Sequence, residues 1–169
     1  MRSNPRLSEE RLREILHYDP ETGEFRWLER LGYSIRVGDI AGCLNKVTGY
    51  RVITVCGRTY KAHQLAWLYM TGTWVRPTID HRDLDRANNR WSNLRRATMS
   101  ANGANRRRLP NNTSGFKGVH QDRQSGRWVA RVRKDGQTHY LGRFATAQAA
   151  HEAYVAGAKR LFGEFARAE

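Results

Sequence analysis

The segment Ile79–Asn102 brings a carboxylate, an imidazole and an amide into one short stretch of chain. Asp80 and His81 are adjacent, and Asn102 follows His81 by 21 positions. Hard divalent cations prefer oxygen ligands, which Asp80 and Asn102 supply. An imidazole titrates near neutral pH and can take a proton from water as a general base. The segment therefore predicts a site in which a divalent cation lies beside a general base.

The charge of the chain indicates an anionic partner. Its 169 residues carry a formal net charge of +14, which makes nucleic acid the leading partner and a membrane surface the alternative. The sequence has no long apolar run, and this argues against the membrane. Hydrophobic residues make up 39% of the chain and include five Trp, so the chain has enough apolar residues to form folded cores.

The polar residues of this segment resemble the HNH endonuclease motif, in the form found in phage and intron-encoded homing endonucleases. The resemblance is carried by Asp80-His81, Asn88-Asn89, Asn93-Leu94-Arg95 and Asn102. It implies a ββα-metal nuclease domain over residues 49–105 that hydrolyses double-stranded DNA. It also implies His81 as the general base and Asp80 and Asn102 as ligands of one Mg²⁺, with Mn²⁺ as the alternative. Asn93 would tie two strand segments together through backbone hydrogen bonds.

Other polar side chains near the motif have two interpretations. His63, at the start of a predicted helix, is either a second imidazole at the catalytic site or a structural histidine, and the structural interpretation is favoured. Asp83 and Asp85 are either extra metal ligands or turn-forming residues that bond their own backbone, and turn formation is favoured. Asn88 and Asn89 share this ambiguity.

Local patterns predict the secondary structure of the first two thirds of the chain. Residues 1–48 form a lead-in segment of helix and strand, expected to serve packing, with a DNA contact through Arg26 or Arg30 as the alternative. The predicted elements are a helix over 7–17, a strand over 25–28, a hairpin over 49–61 that turns at Cys56-Gly57, a helix over 63–70, a strand over 78–81 and a helix over 99–107.

Residues 106–113 have the composition of a linker. Arg106, Arg107 and Arg108 are followed by a proline and small polar residues, which are poor core formers. The three arginines either contact phosphates or are simply solvated.

The remainder of the chain predicts a small antiparallel sheet packed on one helix. Strands are expected over 116–120, 127–134 and 137–144, with a tight turn at Asp135-Gly136, followed by a helix over 146–162. Along the middle strand, Trp128, Ala130 and Val132 face the helix. The alternate residues 127, 129, 131 and 133 face away from it and form an exposed basic face.

This region resembles the AP2 DNA-binding domain over residues 114–169. The resemblance is carried by Gly118-Val119, Gly126-Arg127-Trp128, Leu141-Gly142 and Ala149-Ala150 with Ala153-Tyr154. It implies that the DNA-facing residues are Lys117, His120, Arg127, Arg131, Arg133, Thr138, Tyr140 and Arg143. Arg131 and Tyr140 stand where plant relatives often have Glu and Trp, so the base preference does not transfer.

Together these patterns predict an α+β protein, a homing-type DNA endonuclease targeted by its C-terminal domain. The alternatives are a non-catalytic DNA-binding regulator on an inactive HNH scaffold and a binder of structured RNA. A monomer or weak dimer without an obligate protein partner is expected, and both nicking and double-strand cutting remain open. The HNH resemblance implies a phage or mobile-element origin.

The cellular setting follows from two simple features. No apolar signal-peptide segment is found near residue 1, so a cytoplasmic protein of a bacterial host cell is expected. Cys43 and Cys56 are not a Cys-x-x-Cys pair and are too few for a four-ligand zinc site. They are predicted to be reduced thiols, unlike the cysteine pairs that hold a structural zinc in some HNH proteins.

Overall fold

The computed structural model describes residues 7–31 and 33–167. The chain forms two compact units, of which the first ends at Arg96 and the second begins at Ala97. Both combine helices with antiparallel strand pairs, and the predicted α+β class is confirmed. The predicted domain boundaries near residues 49 and 106 stay a prediction. Within the described ranges, no helix is long and apolar enough to cross a membrane.

The first unit contains two helices and three small sheets. Strands β1 and β2 pair with each other, β3, β4 and β5 form a second sheet in that order, and β6 pairs with β7. The elements are α1 (Glu9–Ile15), β1 (Leu16–Tyr18), β2 (Phe25–Trp27), β3 (Cys43–Leu44), β4 (Arg51–Val55), β5 (Arg58–Lys61), α2 (Ala62–Thr71), β6 (Thr78–His81) and β7 (Leu94–Ala97).

The N-terminal segment is an integral part of this unit's core. Leu12 of α1 and Phe25 of β2 are fully buried in the same apolar cluster as Ile53 of β4, Leu65 of α2 and Ile79 of β6. The packing role expected for residues 1–48 therefore holds for the described part of this segment. Burial of these side chains stabilises the strand that carries Asp80 and His81.

The first helix is shorter than predicted. Ser8 caps it, and its side chain accepts a hydrogen bond from the Arg11 N–H. The helix was expected to reach His17, but Leu16 adopts an extended conformation and pairs with Trp27. The local apolar pattern did not reveal this, because a strand partner eleven residues away decides the conformation.

The second unit is a three-stranded antiparallel sheet packed on a long helix. The strand order is β10-β9-β8, and the elements are α3 (Met99–Asn105), β8 (Val119–Gln121), β9 (Trp128–Lys134), β10 (Gln137–Phe144) and α4 (Ala147–Phe162). The turn between β9 and β10 uses Asp135 at φ 49° and Gly136 at φ 83°, as predicted for a two-residue hairpin. The core is formed by Val119, Ala130, Val132, Ala150, Tyr154 and Ala158.

Two boundaries in this unit differ from the prediction. The first strand was expected from residue 116 but begins at Val119, because Gly118 has a φ of 71° that interrupts extended backbone. Helix α3 was expected to reach Arg107 but ends at Asn105, because Arg106 is extended. Helix α3 is capped by Thr98, whose side chain accepts a hydrogen bond from the Ala101 N–H.

Candidate functional site

Asp80 is buried on β6 and forms an ion pair with Arg95 of the neighbouring strand β7. Its Oδ2 atom accepts hydrogen bonds from Arg95 Nε at 2.9 Å and Arg95 Nη2 at 2.8 Å. The two side chains are 3% and 7% exposed, so this pair is removed from water and held in one geometry. Arg95 therefore fixes the orientation of the Asp80 carboxylate.

His81 is buried beside Asp80 and is oriented by Asn89. The His81 Nε2 and Asn89 Oδ1 atoms lie 3.3 Å apart, and the Asn89 amide group donates to Ala87 O. Since an amide oxygen only accepts, Nε2 carries the hydrogen and Nδ1 carries the lone pair. Burial lowers the pKa of His81 and outweighs the hydrogen bond to Asn89 and the nearby carboxylates, which raise it. The imidazole is therefore neutral at pH 7, the form that acts as a base.

Asn89 is held in place by the N-terminal segment. Tyr18 donates its buried hydroxyl to Asn89 O at 2.7 Å, and the Trp91 N–H donates to Pro20 O at 2.9 Å. Gly23 lies so close to this loop that a Cβ atom there would be 2.5 Å from the Asn89 carbonyl carbon. The β1–β2 hairpin thus supports the loop that orients His81.

Asn93 connects the two ends of the polar loop. Its side-chain amide group donates to Asp83 Oδ1 at 2.9 Å and to Asn88 O at 2.8 Å. Its Oδ1 accepts from the Asp83 N–H at 3.1 Å, and its carbonyl accepts from the Arg82 N–H at 3.0 Å. These contacts hold the loop together, and the role that the HNH resemblance implies for Asn93 stays a prediction.

Asp83 and Asp85 form turn contacts. Asp83 Oδ1 accepts from the Asp85 N–H, and Asp85 Oδ1 accepts from the Ala87 N–H. Burial raises the pKa of Asp83, but hydrogen bonds from Asn88, the Asp85 backbone and Asn93 together lower it below its ordinary value. Asp83 is therefore a carboxylate that stabilises the loop, in agreement with the favoured interpretation.

The structure places His63 against His81. The two rings are perpendicular with centroids 4.9 Å apart, and the Tyr50 ring lies 5.0 Å from His63 and 6.0 Å from His81. Burial, with the nearby His81 and Lys61, lowers the pKa of His63 to about 3. Its Nδ1 is buried and has no hydrogen-bond partner among the residues described. His63 is thus a neutral side chain that packs against His81. Its part in catalysis stays a prediction.

Asn102 lies in the second unit, on α3. Its backbone N–H donates to Thr98 O, and its side chain is half-buried. The joint use of Asp80 and Asn102 as ligands stays a prediction. Their donor chemistry fits Mg²⁺, which takes oxygen ligands and keeps several waters. In the described ranges, no group of three or more His, Cys, Asp or Glu residues could hold an ion.

A basic face covers the side of the second unit's sheet that is opposite α4. In the strand register Arg131 pairs with Tyr140, and Arg133 pairs with Thr138, so these side chains share one face. All four are exposed, and Tyr140 is 63% exposed. The structure thus brings together four of the eight predicted DNA-facing residues on one strand pair.

The flanks of this face show more internal contact. Val129 pairs with Arg143 and His120 and is only 8% exposed, so the prediction that it is exposed was wrong. Its cross-strand neighbours cover it. Arg143 also forms a 2.9 Å ion pair with Asp122, while Arg127 is exposed.

Lys117 is placed differently from the other predicted DNA-facing residues. Its Nζ donates to Ala104 O, Arg106 O and Arg167 O, so its three N–H groups are used inside the second unit. Burial and the Arg167 charge lower its pKa to about 8. The side chains of Arg106, Arg107 and Arg108 are exposed, as expected for either of their interpretations.

Three residues of the site were not assigned roles from the sequence. Arg95 and Asn89 are part of the quoted motif, but nothing in one sequence shows that the first pairs with Asp80 or that the second contacts His81. Knowledge that β6 and β7 are paired strands would have pointed to Arg95. Tyr18 lies 71 positions before Asn89, and no local signal identifies it.

Part of this chain is similar in sequence to HNH endonucleases. Residues 60–104, which include His63, Asp80, His81 and Asn102, match the family model described as HNH endonuclease. An HNH endonuclease of Acanthamoeba polyphaga mimivirus is 38% identical over 88 residues, 52% of this chain and 44% of that protein. The resemblance to HNH endonucleases stated from the sequence is therefore confirmed.

A second relative and one solved structure are also similar. An ethylene-responsive transcription factor of Arabidopsis thaliana is 46% identical over 63 residues, 36% of this chain and 24% of that protein. This chain therefore matches less than half the length of either sequence relative. A structure titled "DNA binding and cleavage by the HNH homing endonuclease I-HmuI" is 19% identical, with a TM-score of 0.42 and coverage of 86% of this chain and 84% of that chain.

Proposed function

We propose that this protein is a metal-dependent, homing-type DNA endonuclease that hydrolyses phosphodiester bonds at the Asp80–His81 site. The observation that carries the proposal is a buried, neutral imidazole whose hydrogen is fixed on Nε2 by Asn89, next to a carboxylate that Arg95 orients. This pair lies within the residues that match the HNH endonuclease model.

His81 acts on the attacking water. Its Nδ1 lone pair takes the proton, and Asn89 Oδ1 stabilises the imidazolium that forms, because its contact with Nε2–H strengthens when the ring is charged. Asp80, next to His81 in the sequence, also favours the charged ring, as its effect on the His81 pKa indicates. The proton thus moves to a group that is neutral at rest and is stabilised when charged.

Asp80 and Asn102 would hold the divalent ion, Mg²⁺ with Mn²⁺ as the alternative. When bound, this ion offsets charge on the scissile phosphate and the leaving 3′ oxygen. The Asn102 amide brings no negative charge, so metal binding would be weak until a phosphate completes the site. Arg95 keeps the buried Asp80 in one orientation for this role. By analogy with the family, the products are a 5′ phosphate and a 3′ hydroxyl.

Double-stranded DNA is the proposed partner, contacted by the basic face of the second unit. Arg131, Arg133, Thr138 and Tyr140 display donors and an aromatic ring on one strand pair. A strand pair of this kind enters a DNA major groove, where arginine bonds the edges of guanine. The similarity to a plant transcription factor supports this assignment. The exposed Arg106, Arg107 and Arg108 would contact phosphates, which hold register but carry no sequence information.

The test is the conversion of a supercoiled plasmid library to nicked or linear DNA. The native chain is assayed with Mg²⁺, with Mn²⁺ and with excess EDTA. We expect cutting in either metal and none in EDTA. Asn102→Ala should require a higher Mg²⁺ concentration for half-maximal cutting, since one of two protein ligands is lost. DNA binding without cutting in every metal would instead support the non-catalytic regulator.

A further inference from the structure

Helix α3 carries the proposed metal ligand Asn102. Both of its ends form hydrogen bonds with other residues of the second unit. Near its N-terminus, Ser100 Oγ accepts a 2.9 Å hydrogen bond from the Asp135 N–H in the turn between β9 and β10. Near its C-terminus, Asn105 Oδ1 lies 3.4 Å from Arg167 Nε, and Asn105 is 4% exposed. These contacts join a seven-residue helix to the unit that displays the basic face.

Lys117 supplies the main attachment at the C-terminal end of α3. Its ammonium group donates to Ala104 O in the last turn of the helix and to Arg106 O just after it. The last carbonyls of a helix have no partner within the helix and carry partial negative charge, which a lysine satisfies and neutralises. The third donor reaches Arg167 O, so one side chain joins three segments of the unit.

The other side of α3 borders the basic face. A cleft of about 830 Å³ lies between Thr98, Ser100 and Gly103 on one side and Arg131, Arg133 and Thr138 on the other. Helix α3 therefore stands beside the side chains proposed to contact DNA.

We propose that Lys117 is a positioning residue for the nuclease, because it fixes α3, and with it Asn102, to the rest of the second unit. The inference rests on the proposed function. If that function is correct, the second unit both contacts DNA and sets the position of the metal ligand Asn102. A short helix is marginal in isolation, so its order depends on such contacts. Loss of Lys117 then weakens metal use before it weakens DNA binding.

The experiment compares four full-length variants with the native chain: Lys117→Met, Lys117→Arg, Ser100→Ala and Lys159→Met. Lys159 is exposed on α4, so its replacement removes the same charge from the same unit without touching α3. Three quantities are measured: hydrogen exchange of the α3 amides, affinity for duplex DNA, and the Mg²⁺ concentration for half-maximal plasmid cutting. Ser100→Ala removes only the hydrogen bond from the Asp135 N–H. It provides a second test of the attachment of α3 if Lys117→Met does not fold.

For Lys117→Met we expect faster exchange confined to α3 and a Mg²⁺ requirement raised about tenfold, the range seen when a supporting partner of a metal ligand is removed. DNA affinity should match that of Lys159→Met. Lys117→Arg should restore part of the loss, because a guanidinium also donates to several carbonyls. Ser100→Ala should change α3 exchange in the same direction, to a smaller degree.

Two results would overturn the inference. One is unchanged α3 exchange and Mg²⁺ requirement in Lys117→Met. The other is a loss of DNA affinity without a change in Mg²⁺ requirement, which would make Lys117 a phosphate contact. Failure of the proposed function has a separate signature, since the native chain itself would not cut in any metal. In that case α3 exchange still decides whether Lys117 anchors the helix.

Discussion

Tyr18 is the residue through which the N-terminal segment reaches the catalytic loop. Its hydroxyl donates to the buried Asn89 carbonyl at 2.7 Å. Tyr18→Phe leaves that carbonyl without this donor, which costs about 1–3 kcal/mol for a buried group. We therefore expect a lower urea midpoint of unfolding with an unchanged slope, measured by circular dichroism.

Tyr33 provides the matched control for this change. It is 98% exposed, so Tyr33→Phe removes the same atom from the surface. Its unfolding free energy should stay within about 0.5 kcal/mol of native. Equal stability of the two variants would show that the Tyr18 hydroxyl contributes nothing to the support of the loop.

The low pKa of His63 predicts how the free energy of unfolding changes with pH. Burial, His81 and Lys61 lower its pKa to about 3 in the folded chain, from an ordinary value of 6.5. Between these values the unfolded chain binds the proton and the folded chain does not. The stability from the neutral ring is therefore complete above pH 6.5 and decreases as the pH falls, by up to about 1.4 kcal/mol per pH unit. His81 acts in the same direction.

The measurement is the free energy of unfolding in urea between pH 7 and pH 5, for the native chain and for His63→Phe. This range lies above the ordinary pKa values of carboxylic acids in model peptides and includes that of histidine. We expect a shallower decline with falling pH in the variant. Parallel curves would contradict the assigned environment of His63.

The sequence drew attention to Asp80 and His81 but did not indicate their contacts with Arg95 and Asn89. Asp80, His81 and Asn102 stand out because their chemistry is rare in one short segment. The choice of Asn89 over Asn88 as the partner of His81 depends on backbone geometry in the loop, where two identical side chains differ only in direction. The AP2 resemblance predicted that Lys117 faces DNA. Its ammonium group instead donates to the carbonyls of Ala104 and Arg167, which are distant from it in sequence.

At the scale of elements, alternation and turn residues predicted the two main hairpins well. The β4–β5 turn at Cys56-Gly57 and the β9–β10 turn at Asp135-Gly136 both use positive φ angles. Short strands were less predictable, because β3 has two residues and depends on pairing with β4. The attachment of α3 within the second unit also has no local signal, since its contacts come from residues 117, 135 and 167.

Gly118 tests how the sheet of the second unit joins its helix. Its φ is +71°, and a Cβ atom there would meet the ring of Tyr154 and lie 2.9 Å from Arg131 O. Tyr154 is buried against the sheet, so its ring has little room to move. We expect Gly118→Ala to destabilise the second unit, seen as a lower thermal midpoint and faster hydrogen exchange in β8 and β9.

Gly126→Ala separates the steric clash from the backbone penalty. Gly126 has a similar φ of +67°, but a Cβ atom there has nothing within 4 Å. The loss in Gly118→Ala should exceed that in Gly126→Ala by about 1–3 kcal/mol. Equal losses would mean that only the positive φ matters at Gly118.

At the scale of the whole molecule, charge and motif order indicated the resemblance to HNH endonucleases, while the packing of α3 in the second unit did not follow from composition. The Arg-rich segment after Asn105 has the composition of a linker. The first compact unit ends at Arg96, and α3 belongs to the second unit because it packs with the sheet that follows it. Composition reports which residues are solvated, whereas the packing of a short helix depends on contacts distant in sequence.

The measurement that tests the account most directly is a side-by-side assay of His81→Ala and the native chain, with cutting and binding followed on the same DNA. Removal of a general base should lower the cutting rate by roughly 10²–10⁴-fold. Affinity for duplex DNA should remain near native, since the proposed DNA contacts lie on the second unit. Cutting by His81→Ala at the native rate, or loss of binding together with cutting, would contradict the assignment of His81 as the base.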